Sequence, residues 1–438
     1  MTLYKRLLRV GVEQIYNNPL YRNAYALVFS TVSTSGLGMF YWIIAARLYT
    51  PETVGYGSAA ISTMMFVSGL AQLNLTDALG RFLPNAGRQT TKLITLSYAT
   101  TGVLSFVIAT IFAVGYLLLT QEEGFLRGSV FVTIWFIFAV AIWTVFALQD
   151  SILTGLRQAV WIPIENTIFS IIKIVLLVVF AVWLHDDGIM ASWTIPVAMT
   201  IIPINILIFR RLIPQHIERE ADKEKPLSFP ALRNFVTGTY IASLFHHAYI
   251  SLPPLLVTLI LGPQANAYFY IPWLIGNSFD LLPTNMTASL TVEGARDEEN
   301  LPALASHLLK HMLTVMTPLA LVTIVSAPIF LQLFGADYAS EGAPLMQLVA
   351  ISIIPSAINF LNMGIYRVRQ NIGGILRMQI GLCAGVIGLG VFLLPSLGIV
   401  GFGISWLTAQ IIMSIYSFFE LRGVLRTDDK LETLPFLQ

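Results

Sequence analysis

The chain has 438 residues, 56% of them hydrophobic and only 11% charged, with a mean hydropathy of +0.74. A soluble domain carries about a quarter charged residues, so a chain this apolar cannot cover its surface with polar groups, and lipid must be its solvent. A net charge of +1 argues against nucleic acid as a partner, and the lone Cys383, set in an apolar stretch, implies neither a disulfide framework nor a metal cluster.

Lys5, Arg6 and Arg9 open the chain, which then turns polar at Glu13, Gln14, Asn17 and Asn18, where a signal peptide needs its apolar core. Residues 3–16 read as a short amphipathic helix lying on the membrane, within an interfacial cytoplasmic segment 1–22. A spanning helix needs about 20 mainly apolar residues. Twelve such segments follow, at 23–48, 53–79, 92–120, 129–152, 164–184, 189–209, 234–261, 265–291, 303–332, 344–366, 372–394 and 398–420. The expected fold is an all-α polytopic membrane protein.

The basic residues alternate from side to side. Lys5, Arg6, Arg9 and Arg22 precede the first segment, Arg81, Arg88 and Lys92 lie between the second and third, and Arg157 follows the fourth. Arg210, Arg211, Arg219, Lys223, Lys225 and Arg233 surround the gap after the sixth. Arg296 and Lys310 lie near the eighth–ninth loop, Arg367, Arg369 and Arg377 flank the tenth–eleventh loop, and Arg422, Arg426 and Lys430 follow the last segment. The opposite loops hold only Arg47 and Arg127. Positive charge collects on the cytoplasmic side, so both termini are expected there.

The polar stretch 210–230 divides the chain into an N-lobe, 23–209, and a C-lobe, 231–421, followed by a cytoplasmic tail, 422–438. Each lobe holds six segments, so both enter the membrane from the same side and can be parallel repeats. Sliding the second half onto the first sets Leu48-Tyr49-Thr50-Pro51-Glu52-Thr53-Val54-Gly55-Tyr56 on Ile260-Leu261-Gly262-Pro263-Gln264-Ala265-Asn266-Ala267-Tyr268. Only Pro51 with Pro263 and Tyr56 with Tyr268 are identical, but each half has a long helix, a tight X-Pro turn and another long helix at the same place.

The run Ala46-Arg47-Leu48-Tyr49-Thr50-Pro51-Glu52-Thr53-Val54-Gly55, followed by Asp77-Ala78-Leu79-Gly80-Arg81-Phe82-Leu83-Pro84, resembles the prokaryotic oligosaccharide flippases. These are the Wzx-type, or polysaccharide biosynthesis, branch of the MATE-like multidrug/oligosaccharidyl-lipid/polysaccharide (MOP) superfamily. The resemblance implies twelve transmembrane helices in two six-helix bundles forming a V around a central cavity. It implies an inner-membrane protein that moves a polyprenyl-pyrophosphate-linked glycan from the inner to the outer leaflet by alternating access, for surface polysaccharide synthesis. Polysaccharide-assembly proteins are the partners it implies.

An ionisable residue at bilayer depth is costly, and so is a functional-site hypothesis. Lys173 lies about nine residues into the fifth segment, roughly 14 Å along the helix, among Ile168, Phe169, Ile171, Ile172, Ile174, Val175 and Leu176. It is a point charge for a phosphate, or one half of an ion pair with an acid on another helix. Asp280, between Pro272 and Pro283 in the eighth segment, is a proton or sodium coupling site, the partner of Lys173, or both; such prolines mark broken helices at cavities. His246 and His247 lie mid-span in the seventh segment, and neighbours on a helix point about 100° apart, so one of them faces the cavity. Each can meet a phosphate or sugar hydroxyl, or sit neutral against a backbone carbonyl.

Asp77 and Arg81 form an i, i+4 pair at the inner end of the second segment, with Asn74 on the same face. Ser58, Ser62, Gly69, Gln72 and Thr76 form another stripe suited to close packing. Arg81 is an anchor, or a guanidinium at the inner mouth. Arg47 snorkels to the headgroups, or, as the resemblance implies, lines the cavity. Asp150 and Glu165 flank an inner loop, where capping or pairing with Arg157 is the plainer role. His307, Lys310 and His311 share a helix face and read as an interfacial basic patch.

The resulting scheme has a cationic cavity, with Lys173 central and Arg81 and Arg47 near its ends, neutralising a diphosphate. Asp280, with Asp77 second, couples to a proton or sodium gradient. No G-x-x-x-x-G-K-[ST] loop is present, and no cofactor, metal or enzymatic activity is expected. Two alternatives remain: a MATE-type exporter of organic cations, which wants an acidic cavity, and a membrane-embedded glycan ligase or polymerase.

Overall fold

A computed structural model describes residues 19–120, 124–126, 129–220 and 229–425. The interfacial helix expected at 3–16, Arg127 and the tail beyond 425 lie outside the described residues. Every regular element among them is a helix.

The first half builds α1 (Pro19–Leu48), α2 (Pro51–Ala71), the short α3 (Leu75–Phe82), α4 (Thr90–Thr120), α5 (Val130–Gly155), α6 (Trp161–Trp183), α7 (Gly188–Leu207) and α8 (Ile213–Glu220). The second half builds α9 (Phe229–Ser251), α10 (Pro253–Leu261), α11 (Pro263–Phe279), α12 (Leu281–Arg296), α13 (Leu301–Leu331), α14 (Ala336–Val368), α15 (Ile372–Cys383) and α16 (Leu389–Leu425). Among the described residues, eight helices are long and apolar enough to cross a membrane, and nine if the bent pair α9–α10 is one span.

The local chemistry explains the element boundaries. Thr50 caps α2: its Oγ1 accepts from Thr53 N at 3.3 Å, Pro51 stands in the first turn where its missing N–H costs nothing, and Glu52 faces the positive helix end. The expected second span is shorter than the sequence suggested. It stops at Ala71, because Leu73 (φ 51°) and Asn74 (φ 57°) turn left-handed, and α3 starts afresh. Asn74 Nδ2 donates to Thr239 Oγ1 at 2.7 Å, which holds that turn. Thr76 therefore leaves the small-residue stripe of α2.

Pro253 cannot donate to the preceding turn, so α9 and α10 bend by 45° at Leu252. The eighth segment breaks at Asp280, which ends α11, because Pro283 supplies no N–H to the turn before it. Gly398, at φ 60° and ψ −151°, interrupts α16 where the eleventh and twelfth segments were expected to part. Of the stretch 210–230, read as a polar linker, the described residues 210–220 continue as helix: a π-type turn at Ile208–Leu212 runs into α8 (Ile213–Glu220).

Helix packing divides the chain into two compact units. The first holds residues 1–53 and 60–240, and the second holds 54–59 and 241–438. In the first, α6 packs between α1 and α7, and α5 packs on α3, α4 and α7. Its inner core gathers Leu79, Leu83, Leu148, Ile152, Ile208 and Leu212. In the second, α14 is the axis, touching α11, α12, α13 and α16. Leu118, Leu119, Trp183, Val325 and Phe392 are more than three-quarters exposed, as side chains facing lipid must be.

Six residues of α2 belong to the second unit, and their hydrogen bonding explains why. Asn266 Nδ2, fully buried, donates to Gly55 O at 2.8 Å and to Ser58 Oγ at 3.0 Å. The start of α11 at Pro263 thus packs directly on the first two turns of α2, joining the two stretches that the sequence set in correspondence.

Candidate functional site

Lys173 sits in the middle of α6 and is 3% exposed. The helix has no other charge from Ile168 to Trp183, so the ammonium depends on what its neighbours bring. Phe169, one turn earlier on α6, places its ring centroid 4.9 Å from Nζ. Tyr41 of α1 comes to 4.8 Å and Trp193 of α7 to 3.7 Å. Tyr41 and Trp193 meet edge to face, with centroids 5.3 Å apart. The Tyr41 hydroxyl donates to Ile189 O at 3.1 Å and lies 2.9 Å from Ser192 Oγ, which ties α1 to the first turn of α7. Trp143 and Phe146 of α5 extend the aromatic wall beyond Phe169.

Among the described residues, no carboxylate of this unit pairs with Lys173. Three rings occupy the place where an ion-pair partner was one expectation. A desolvated cation–π contact contributes about 2 kcal/mol, against a desolvation penalty of several kcal/mol for the ammonium. The cage makes the charge tolerable and leaves it without a counter-anion. Tyr41→Phe should keep the ring and lose the two hydroxyl contacts, costing about 1 kcal/mol as a small fall in the thermal midpoint. A large fall would show that the hydroxyl, rather than the ring, sustains the cage.

A second feature lies at the other end of the first unit. A cavity of about 490 Å³ is lined by Thr76, Asp77, Gly80, Asp150, Ser151 and Thr154, with Leu27, Ile162 and Phe235. Among the described residues its wall carries two carboxylates and no base, and Arg81, the cation expected at the inner mouth, is not among those lining it. Arg81 does not pair with Asp77, one turn away on α3. Its guanidinium carbon lies 4.9 Å from the Phe235 ring centroid and 5.7 Å from that of Phe82, so it stacks on aromatic faces while exposed to solvent. Capping or pairing with Arg157 was the plainer role expected of Asp150. Its carboxylate accepts from Asn166 Nδ2 at 3.4 Å, and Arg157 stands in a left-handed turn (φ 58°) just after α5. Arg47 is exposed in the last turn of α1, where a cation complements the helix C-terminus.

In the second unit, His246 and His247 are both half-buried, their ring centroids 5.9 Å apart. His246 Nδ1 lies 2.9 Å from the Tyr249 hydroxyl, so its partner is a side chain rather than the backbone carbonyl expected. Tyr249 packs its ring on Trp406 and lies within electrostatic reach of Asp280 and Arg367. Asp280 is half-buried at the break between α11 and α12. His307, Lys310 and His311 are exposed on α13. Among the described residues, no group of three or more His, Cys, Asp or Glu side chains could hold a metal ion.

The candidates therefore fall into separate sets: Lys173, Asp77, Arg81 and Arg47 in the first unit, and His246, His247 and Asp280 in the second. Sequence reasoning missed Tyr41 and Trp193. Only Phe169, at helical spacing from Lys173, carried a local signal for the cage.

The sequence profile of the polysaccharide biosynthesis protein family matches residues 20–272, more than half of the chain. No curated protein matches in sequence. Solved structures share the fold at low identity. An inward-facing multidrug resistance MATE family transporter of the MOP superfamily superposes with a TM-score of 0.68 at 14% identity, covering 92% of this chain and 99% of that one. A MATE protein in complex with MaD5 gives 0.61 at 13%, covering 96% and 99%. A MOP superfamily transporter from Pyrococcus furiosus, described as having a binding pocket of reverse polarity, gives 0.58 at 12%, covering 95% and 98%. The apolar helices, the superpositions and the family match lead to one conclusion: this chain is a multi-pass membrane protein of the polysaccharide biosynthesis protein family, built on a MATE-like fold.

Proposed function

We propose that the protein is a membrane transporter that flips a polyprenyl-pyrophosphate-linked oligosaccharide across the cytoplasmic membrane. Twelve spans in two six-helix lobes, with both termini cytoplasmic, and alternating access between the leaflets belong to this reading. So do polysaccharide-assembly proteins as partners, because the product feeds surface-glycan synthesis. The observation that carries it is the Lys173 ammonium: buried in a spanning helix, cushioned by three rings and, among the described residues, matched by no carboxylate of its unit. A diphosphate crossing lipid requires such a charge, since an unpaired anion there is prohibitive. Arg81 and Arg47 then act as outlying cations, His246 and His247 as hydrogen-bonding groups for phosphate or sugar, and Asp280, with Asp77 second, as ion-coupling carboxylates.

The acidic wall at Asp77 and Asp150 favours a second reading, a MATE-type exporter of organic cations. Purified protein in liposomes separates them. A fluorescent polyprenyl-pyrophosphate sugar placed in one leaflet should become accessible from the other only when the protein is present. Drug–proton exchange without sugar-lipid flipping would establish the exporter, and new glycosidic bonds would establish a ligase or polymerase.

A further inference from the structure

Glu165, in the first turns of α6, is 2% exposed, and neither carboxylate oxygen has a hydrogen-bond partner. An orphaned carboxylate inside a membrane protein is among the least favourable groups a chain can bury, and the transport scheme above gives it no work. Its ionisable neighbours deepen the problem. From α5 it feels the charge of Asp150, a second acid, which stands in the wall of the 490 Å³ cavity and is held by Asn166, the residue next to Glu165. From α4 it feels Tyr98, whose hydroxyl donates to Asn205 Oδ1 at 3.0 Å. Among the described side chains, the other helices packed on α6 add nothing ionisable nearby: α7 contains no titratable side chain, and α1 has none between residues 26 and 40. Among the described residues that line the cavity none is basic, and Arg81, on α3, stacks on Phe235 and Phe82.

We propose that Glu165 and Asp150 form a proton-binding site at the cavity end of the first unit, loaded from the cavity through Asp150, and that its occupancy responds to the proton gradient during transport. A proton from the cavity adds to a carboxylate oxygen, converting one carboxylate to a carboxylic acid, and the pair drops from two negative charges to one. Asp150 meets the water-accessible cavity, and Glu165 is the buried member that cannot stay charged without a partner. Asn166 fixes Asp150 in place and so sets the geometry of exchange between them. Loading would favour the conformer in which Glu165 is sealed, and release would favour the one in which it is hydrated. The coupling half of the proposal rests on the transporter reading, whereas the proton site itself does not.

The test uses the full chain in lipid. Infrared difference spectra on a pH step should show a protonated-carboxyl band in the wild type that is lost in Glu165→Gln and shifted in Asp150→Asn. Glu165→Gln replaces a neutral acid by its isostere and should fold as the wild type does; Asp150→Asn gives a second reading of the same site. In liposomes, an imposed pH gradient should change the wild-type flipping rate several-fold and leave the Glu165→Gln rate unchanged, while equilibration without a gradient continues in both. An unaltered carboxyl band in both variants, or an unaltered response to the gradient in Glu165→Gln, overturns the proposal. Failure of the wild type to flip any sugar-lipid would instead strike the transporter reading, and the infrared result would still decide the proton site.

Discussion

Replacing Lys173 by methionine is expected to abolish flipping while the protein inserts and folds normally. Leaving a buried diphosphate without its cation costs about 3–5 kcal/mol, a loss of about two to four powers of ten in rate. Stability should move little, or upward. Methionine keeps the length of the side chain and its contacts with Phe169, Tyr41 and Trp193, loses cation–π energy of about 2 kcal/mol, and removes a desolvation penalty of several kcal/mol. The two predictions have opposite signs, which makes the variant decisive. Flipping in liposomes and a thermal unfolding midpoint in detergent supply the measurements. Normal transport with a depressed midpoint would make Lys173 a structural residue of the aromatic cage and remove the main support for a diphosphate substrate.

Gly55→Ala is expected to prevent accumulation of folded protein. A Cβ at Gly55 would stand 1.7 Å from Pro263 O, 2.4 Å from its carbonyl carbon and 2.9 Å from its Cα. All three are backbone atoms, so no rotamer change relieves the clash. Overpacking in a core costs about 1–3 kcal/mol when side chains can shift, and here the two helix starts would have to separate, breaking the Asn266 hydrogen bonds to Gly55 O and Ser58 Oγ. Gly80→Ala is the matched control. It lies in α3 with no atom within 4 Å of the added carbon, and should be neutral or stabilising by about 0.5–1 kcal/mol. Monodisperse protein recovered after membrane extraction is the readout. Comparable yields from the two variants would show that the Pro263 turn is free to move away from α2.

The contrast between these two sites shows where sequence reasoning reaches. At Gly55 the X-Pro turns were visible as a correspondence between halves, yet nothing in the sequence said that one turn packs on the other. At Lys173 the depth of the charge was readable by counting residues, and its surroundings were not. Asp77 and Arg81 mark the opposite case. Their spacing predicts a pair, but α3 is amphipathic and lies against Phe235, and a guanidinium gains from that ring what an exposed carboxylate, worth about 0–1 kcal/mol in water, does not offer.

The sequence by itself determined the solvent, the helical class and the break near Pro283. In lipid every backbone polar group must be satisfied within its own segment, so hydropathy and proline position act locally and can be read locally. That is why Pro283 marks a real interruption, whereas the bend at Leu252, the left-handed turn at Leu73–Asn74 and the helix through 208–220 depart from the twelve expected segments. The cage around Lys173, the aromatic partners of Arg81 and the isolation of Glu165 were decided only by tertiary packing. Each depends on which faces of helices far apart in the chain come together, and a buried charge is stabilised by the atoms that surround it, not by those that follow it in sequence.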